Sequence, residues 1–169
     1  FFVFLYSRYS TMEVPLMETN SGKATNGIIL KAKFRDMPTK KSGWQFTWRT
    51  LYKTEGGKFY KITLQDHNDT VEGILMLSVM YEEMLYMNNI EVAPHNLGSD
   101  GKYDNVAGCL IAFGCLKSFE LGKNTYKGYL TFESKTELIP LYQDKYGATL
   151  AMGQRMFIDP DTGLGLIDK

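Results

Sequence analysis

At Asp104 the spacing of apolar residues along this chain changes, and that change restricts its fold more than any other feature. Before it, the apolar segments read as strands: Gly27–Phe34, Lys58–Leu64, Val71–Met80 and Met84–Val92. Turn signals at Asp36-Met37-Pro38, Glu55-Gly56-Gly57 and His67-Asn68-Asp69 bound them, with a short connection at Tyr81-Glu82-Glu83. After it, Val106, Leu110, Phe113 and Ser118 or Phe119 recur at helical spacing, with Gly122 as the stop. Gly128–Phe132 then reads as a strand and Thr136–Tyr146 as a helix carrying Leu138, Leu141, Tyr142 and Tyr146 on one face, ending at Gly147. Thr149–Ile158 is expected as the last strand, broken by Asp159-Pro160-Asp161. Strands first, then alternating strands and helices, specify an α/β (α+β) chain with a mixed, mostly antiparallel sheet and helices packed on it. Its expected layout has Met84–Val92 in a central position and the helix near Asp104 starting beside that strand's C-terminal end.

With 169 residues the chain suits one domain with a substantial core. Its 19 basic and 19 acidic side chains cancel, which disfavours a general nucleic-acid or membrane-surface binder. Cys109 and Cys115, six apart in a helical segment, fall on different faces and suit neither a disulfide nor a zinc site. They read as buried thiols in a reducing cytoplasm. His67 and His95 are the only histidines, so no metal cluster is expected. The apolar opening Phe1–Tyr6 is too short to span a membrane and lacks the features of a signal peptide. The chain does not begin with Met. Met12 as an alternative start would make residues 1–11 a non-native or disordered extension before a domain at 12–169. The aromatic stretch Trp44, Phe46, Trp48, Leu51 and Tyr52 fits either a strand or a helix face, so residues 38–57 stay unassigned.

The chemistry-bearing unit is strand, loop and helix start: Asn89–Pro94, then Gly101–Ile111. A helix start exposes unpaired N–H groups and a partial positive charge, which together form a cradle for phosphate oxygens. Asn105, Ala107 and Gly108 are small or turn-tolerant and would let a ligand approach the backbone. Many helices that bind nothing start the same way. There is no Walker pattern and no G-x-G-x-x-G after a strand, which disfavours nucleotide enzymes.

This unit resembles that of the GNAT acyltransferases, whose strand ends in a V-x-P-like sequence before a loop and Q/R-x-x-G-x-G/A opening a helix. Val92-Ala93-Pro94 is similar to the strand end, and Lys102 through Ile111 to the loop and helix. Lys102 stands where Gln or Arg is usual, Asn105 replaces the first Gly, Ala107 is an allowed variant of the last, and the loop is longer. Downstream, Gly128–Phe132, Ser134-Lys135-Thr136 and Leu141 through Ala148 resemble the family's strand, turn and Tyr-bearing helix, with Leu141 and Ala148 departing from the usual aromatics. The resemblance covers roughly Val71 to Ile158. It implies one domain with a mixed, mostly antiparallel central sheet and helices on both faces.

The resemblance also implies acetyl-CoA, or another acyl-CoA, as co-substrate, with direct transfer to an amine and no metal. Backbone amides of Lys102, Tyr103, Asp104, Asn105, Val106, Ala107 and Gly108 would hold the pyrophosphate, and Glu91, Val92 and Ala93 would pair with the pantetheine arm. Tyr142 would be the general acid and Glu91 the base, with His95 a second candidate base; Lys102 and Lys135 would meet coenzyme phosphates. Each has a plainer reading: a core tyrosine, a strand carboxylate, a loop histidine, surface lysines. Asn88 and Asn89 read as substrate contacts or strand-edge groups. Trp44 and Trp48 read as core rather than acceptor cleft. The expected setting is cytoplasmic, as monomer or homodimer, with a small-molecule or protein amine as acceptor and neither nucleic acid nor membrane as partner. A catalytically inactive GNAT-like module that binds coenzyme or protein is the alternative. The acceptor is not legible.

Overall fold

In the computed structural model, which describes residues 11–169, the strands form one sheet of order β1-β2-β3-β4-β5-β6-β8-β7. They are β1 (Met12–Met17), β2 (Ala24–Lys31), β3 (Lys58–Leu64), β4 (Gly73–Met80), β5 (Met84–Val92), β6 (Leu130–Glu133), β7 (Thr149–Met152) and β8 (Arg155–Ile158). The helices are α1 (Trp48–Leu51), α2 (Val106–Leu121), α3 (Ile139–Tyr146) and α4 (Pro160–Ile167). β1–β2, β2–β3, β6–β8 and β7–β8 pair antiparallel, and β5–β6 pair parallel over Leu85–Met87. The sheet is therefore mixed and mostly antiparallel, with β5 in its interior. The expected extension at residues 1–11 lies, but for residue 11, outside the described residues, while Met12 opens β1.

The chain divides into two compact units, with the division falling inside β4, β5 and α2. The first takes residues up to Met76 and Asn89–Leu110; the second takes Leu77–Asn88 and Ile111–Lys169. In the first, the aromatic stretch left unassigned forms a core rather than a strand: Trp44 and Trp48 are buried with Phe59, Ile74, Met76 and Ala93. Trp48 meets Phe59 edge-on at 6.5 Å, a favoured aromatic geometry. In the second, Gly114 lets α2 approach Leu130 of β6, and Gly163 lets α4 approach Cys115.

Several boundaries differ from the sequence reading for local reasons. β2 begins at Ala24 rather than Gly27 because it pairs with β1, a strand the reading did not assign, and it ends before Lys33, whose N–H donates to Asp36. β6 starts two residues after Gly128, because the N–H groups of Gly128 and Tyr129 bond Ser118 and Tyr126 instead of a strand. The expected helix from Thr136 opens as a 3₁₀ turn before α3, with Pro140 in its first turn and Gly147 as a left-handed stop. The single strand expected over Thr149–Ile158 is a hairpin of β7 and β8, turned at Gly153 with φ of 61°. Asp159 does not merely break it. Its carboxylate accepts from the Thr162 N–H at 2.8 Å, capping α4 with Pro160 at the helix start.

Gly73, at the head of β4, shows how the first unit holds its helix start. A Cβ there would lie 2.9 Å from both Val106 and Leu110 of α2 and 3.2 Å from the Glu91 carbonyl oxygen. Strand and helix thus close on a position that only hydrogen fills. Gly73→Val should destabilise the protein by about 1–3 kcal/mol through overpacking, measured by chemical denaturation. A variant as stable as the wild type would contradict this close approach.

Candidate functional site

But for Ile111, the expected unit lies within the first compact unit: the end of β5, a 3₁₀ turn at Pro94–Asn96, the loop to Asp104 and the start of α2. Its loop is held from both sides. Ala93 N–H donates to the Glu72 carbonyl at 2.9 Å, and Lys102 N–H to the His95 carbonyl at 3.0 Å. Asn96, buried, donates through Nδ2 to the carbonyl and the carboxylate of Glu72 and accepts from Tyr103 N–H at 3.1 Å. β1 supplies the other side. Asp104 N–H donates to the Met17 carbonyl, and Thr19 N–H to that of Lys102.

Three of the seven amides expected to hold pyrophosphate are therefore already engaged: Lys102, Tyr103 and Asp104. A donor bound to its own chain is not available to a phosphate, so the cradle narrows to the amides beyond Asp104. Asn105 does not cap the helix with its side chain. Its Oδ1 accepts from Met17 N–H at 2.9 Å and its Nδ2 donates to the Pro15 carbonyl at 2.8 Å. Among the described residues, the N–H groups of Val106, Ala107 and Gly108 have no acceptor. Val106 is buried, while Ala107 and Gly108 are half-buried. Lys102 is exposed, its ammonium 5.4 Å from the centre of the Tyr103 ring.

Glu91 is placed where the sequence put it, but its carboxylate is occupied. It accepts from Gln45 N–H at 2.6 Å, Phe46 N–H at 3.1 Å and Trp48 Nε1 at 2.8 Å. A carboxylate offers about four acceptor positions, and three are filled by the segment that leads into α1. Its evident work is to clasp that segment and satisfy the indole of buried Trp48. His95 sits in the 3₁₀ turn with Nε2 2.6 Å from the carboxylate of Glu72. Glu72 was not singled out in the sequence, although a lone acidic residue in the apolar run Val71–Met80 was a usable signal.

The other expected residues belong to the second unit. Tyr142 on α3 packs its ring against Phe132 at 4.9 Å and Tyr146 at 5.9 Å. Burial pushes its phenol pKa up, so it remains protonated at neutral pH. Its hydroxyl has no hydrogen-bond partner among the described residues. Lys135 is exposed in the turn before α3, and Asn88 accepts from the Ser78 hydroxyl at 2.8 Å. Both cysteines are free; burial pushes the Cys109 thiol up to about 11 and, with the Asp159 charge, that of Cys115 to about 12. Neither is a thiolate at neutral pH, so neither suits an acyl-carrying nucleophile. No group of three potential metal ligands occurs among the described residues, and no helix among them is long and apolar enough to cross a membrane.

No protein-family model matches the sequence, and no curated protein matches it. Solved structures do match the fold. The spermidine/spermine N-acetyltransferase SpeG from Vibrio cholerae aligns at a TM-score of 0.53 and 13% identity, over 82% of this chain and 98% of its own. The AtaT toxin bound to the C-terminus of the antitoxin AtaR aligns at 0.53 and 11%, over 83% and 96%. A KacTA–DNA complex aligns at 0.54 and 12%, over 72% and 79%. The chain has a GNAT-like fold, and at these identities the likeness is one of fold alone.

The clasp makes a direct prediction. Glu91→Ala strands three donors, one of them on a fully buried indole, and should cost about 1–3 kcal/mol of stability. Tryptophan emission should shift as well, because Trp44 and Trp48 are the chain's two tryptophans. Denaturation monitored by that emission checks both, and an unchanged midpoint would rule the clasp out.

Proposed function

We propose that the chain is an acyl-CoA-dependent N-acyltransferase that moves an acetyl group directly from acetyl-CoA to an amine. One observation carries the reading: the first turn of α2 offers three N–H groups with no acceptor among the described residues, at the end of a loop fixed by its own hydrogen bonds. A preorganised set of such donors, backed by the partial positive charge of a 16-residue helix, suits the pyrophosphate of a coenzyme. The pantetheine arm then runs along Glu91–Ala93, and the exposed Lys102 and Lys135 are the basic groups proposed for phosphate contacts. The GNAT-like fold supports the same reaction class by analogy.

In this mechanism the amine nitrogen attacks the thioester carbonyl, a base takes the proton lost by the amine, and the C–S bond breaks. The electron pair leaves on sulfur, and a proton donor converts it to the thiol. Tyr142 is the proposed donor, since its phenol stays protonated and has, among the described residues, no partner that would compete for the proton. The engaged amides of Lys102, Tyr103 and Asp104 favour one other reading, a GNAT-like module that binds coenzyme or a protein partner without catalysis.

Two substitutions test the proposal. Ala107→Val should crowd the first turn and weaken acetyl-CoA binding at least about tenfold, or roughly 1.4 kcal/mol, by calorimetry on a folded variant. Unchanged affinity would move the coenzyme elsewhere. Tyr142→Phe keeps the ring against Phe132 but removes the proton donor. It should lower turnover about tenfold or more, read as thiol release from acetyl-CoA with a panel of amines, polyamines and peptides, and leave coenzyme affinity unchanged. Turnover equal to wild type would end the assignment of Tyr142, and coenzyme binding without transfer to any acceptor would favour the non-catalytic module.

A further inference from the structure

Glu72 is the buried acid that the reaction as drawn leaves without a task. Its side chain is 2% exposed, whereas that of His95 is 44% exposed. A carboxylate removed from water requires partners, and this one has two: Asn96 Nδ2 at 2.9 Å and His95 Nε2 at 2.6 Å. Asn96 is neutral. Among the described residues, the imidazole is the one group bonded to the Glu72 carboxylate that can become a cation.

An ionised carboxylate only accepts, so opposite ionised Glu72 it is Nε2 that carries the proton and donates it. The other ring nitrogen, Nδ1, then keeps its lone pair, and it has no partner among the described residues. The 3₁₀ turn bearing the ring is pinned on both sides: the Asn96 amide bonds Glu72, and the His95 carbonyl accepts from Lys102 N–H. An imidazole oriented through one nitrogen by a buried carboxylate, with the other nitrogen open, is the arrangement that makes histidine an effective general base. Glu91 offers no such opening, since three donors hold it.

We infer that His95 is the general base of the proposed acyl transfer and that Glu72 is its positioning residue. The inference rests on the acyl-transfer reading above. As the amine forms its bond to the thioester carbonyl carbon, Nδ1 of His95 takes the amine proton; the resulting imidazolium is stabilised by the Glu72 carboxylate. The C–S bond breaks, the electron pair departs on sulfur, and the proton donor completes the free thiol. The imidazolium then gives its proton to solvent, and solvent reprotonates the donor, which restores both groups.

The experiment measures thiol release from acetyl-CoA, with water alone and with the amine panel, for the wild type, His95→Gln and Glu72→Gln. Gln at position 95 keeps an amide donor for the buried Glu72 carboxylate, and the denaturation midpoint of each variant checks that it is folded. His95→Gln should lower turnover about 100-fold with acetyl-CoA affinity by calorimetry within about twofold of wild type. Glu72→Gln should lower turnover with acetyl-CoA affinity unchanged and shift the His95 ring-nitrogen resonances, because the ring loses the carboxylate that orients it. Nitrogen NMR of the wild type, where only two histidines resonate, should show His95 protonated at Nε2. Turnover of His95→Gln equal to wild type, or an Nδ1–H tautomer, overturns this assignment while leaving acyl transfer standing. A wild type that releases no thiol with water or any amine overturns the acyl-transfer reading and this assignment together.

Discussion

A carboxylate buried at Glu72 must be satisfied, and much of the first unit's geometry depends on how that is done. Burying such a charge without partners costs several kcal/mol. The side chain therefore recruits His95 and Asn96, and the backbone carbonyl of the same residue takes Ala93 N–H and the Asn96 amide. Asn96 passes the constraint onward by accepting from Tyr103 N–H. A loop of polar residues that would otherwise be free is thereby tied to the head of β4. The start of α2 emerges from it at a fixed place, where Gly73 admits Val106 and Leu110 against the strand.

Two acidic residues in this unit are thus used in opposite ways. Glu91 is met by backbone and indole donors, which fill three of its about four acceptor positions, and holds the segment before α1 against the end of β5. Glu72 is met, among the described residues, by one neutral amide and one imidazole. Donors that never change protonation give rigidity, and an imidazole partner gives a place where a proton can be held. The helix start obeys the same division. Asn105 turns its side chain to β1, and the N–H groups of Val106, Ala107 and Gly108 stay without an acceptor among the described residues.

Much of this was legible because it depends on local pattern. Lys58–Leu64 and Met84–Val92 are strands with the expected bounds, and the change of period near Asp104 located α2 to within two residues. The illegible parts depend on partners distant in sequence. β1 has a proline within it and reads as a strand only beside β2. The glycines of α4 conceal a helix whose reason for Gly163 is the approach of Cys115. At the candidate site, the residue types were readable but their engagement was not. Nothing adjacent to Glu91 announces that Gln45, Phe46 and Trp48 will occupy it, and nothing beside His95 announces Glu72.

The central claim is that the first turn of α2 receives the phosphates of a coenzyme A, and thermal unfolding of the wild type with acetyl-CoA, CoA or ATP tests it most directly. A ligand that binds the native state alone raises the melting temperature as its concentration rises. Such a rise is expected with acetyl-CoA and with CoA, and none with ATP at equal concentration. A melting temperature unmoved by either coenzyme, or raised by ATP alone, would contradict it.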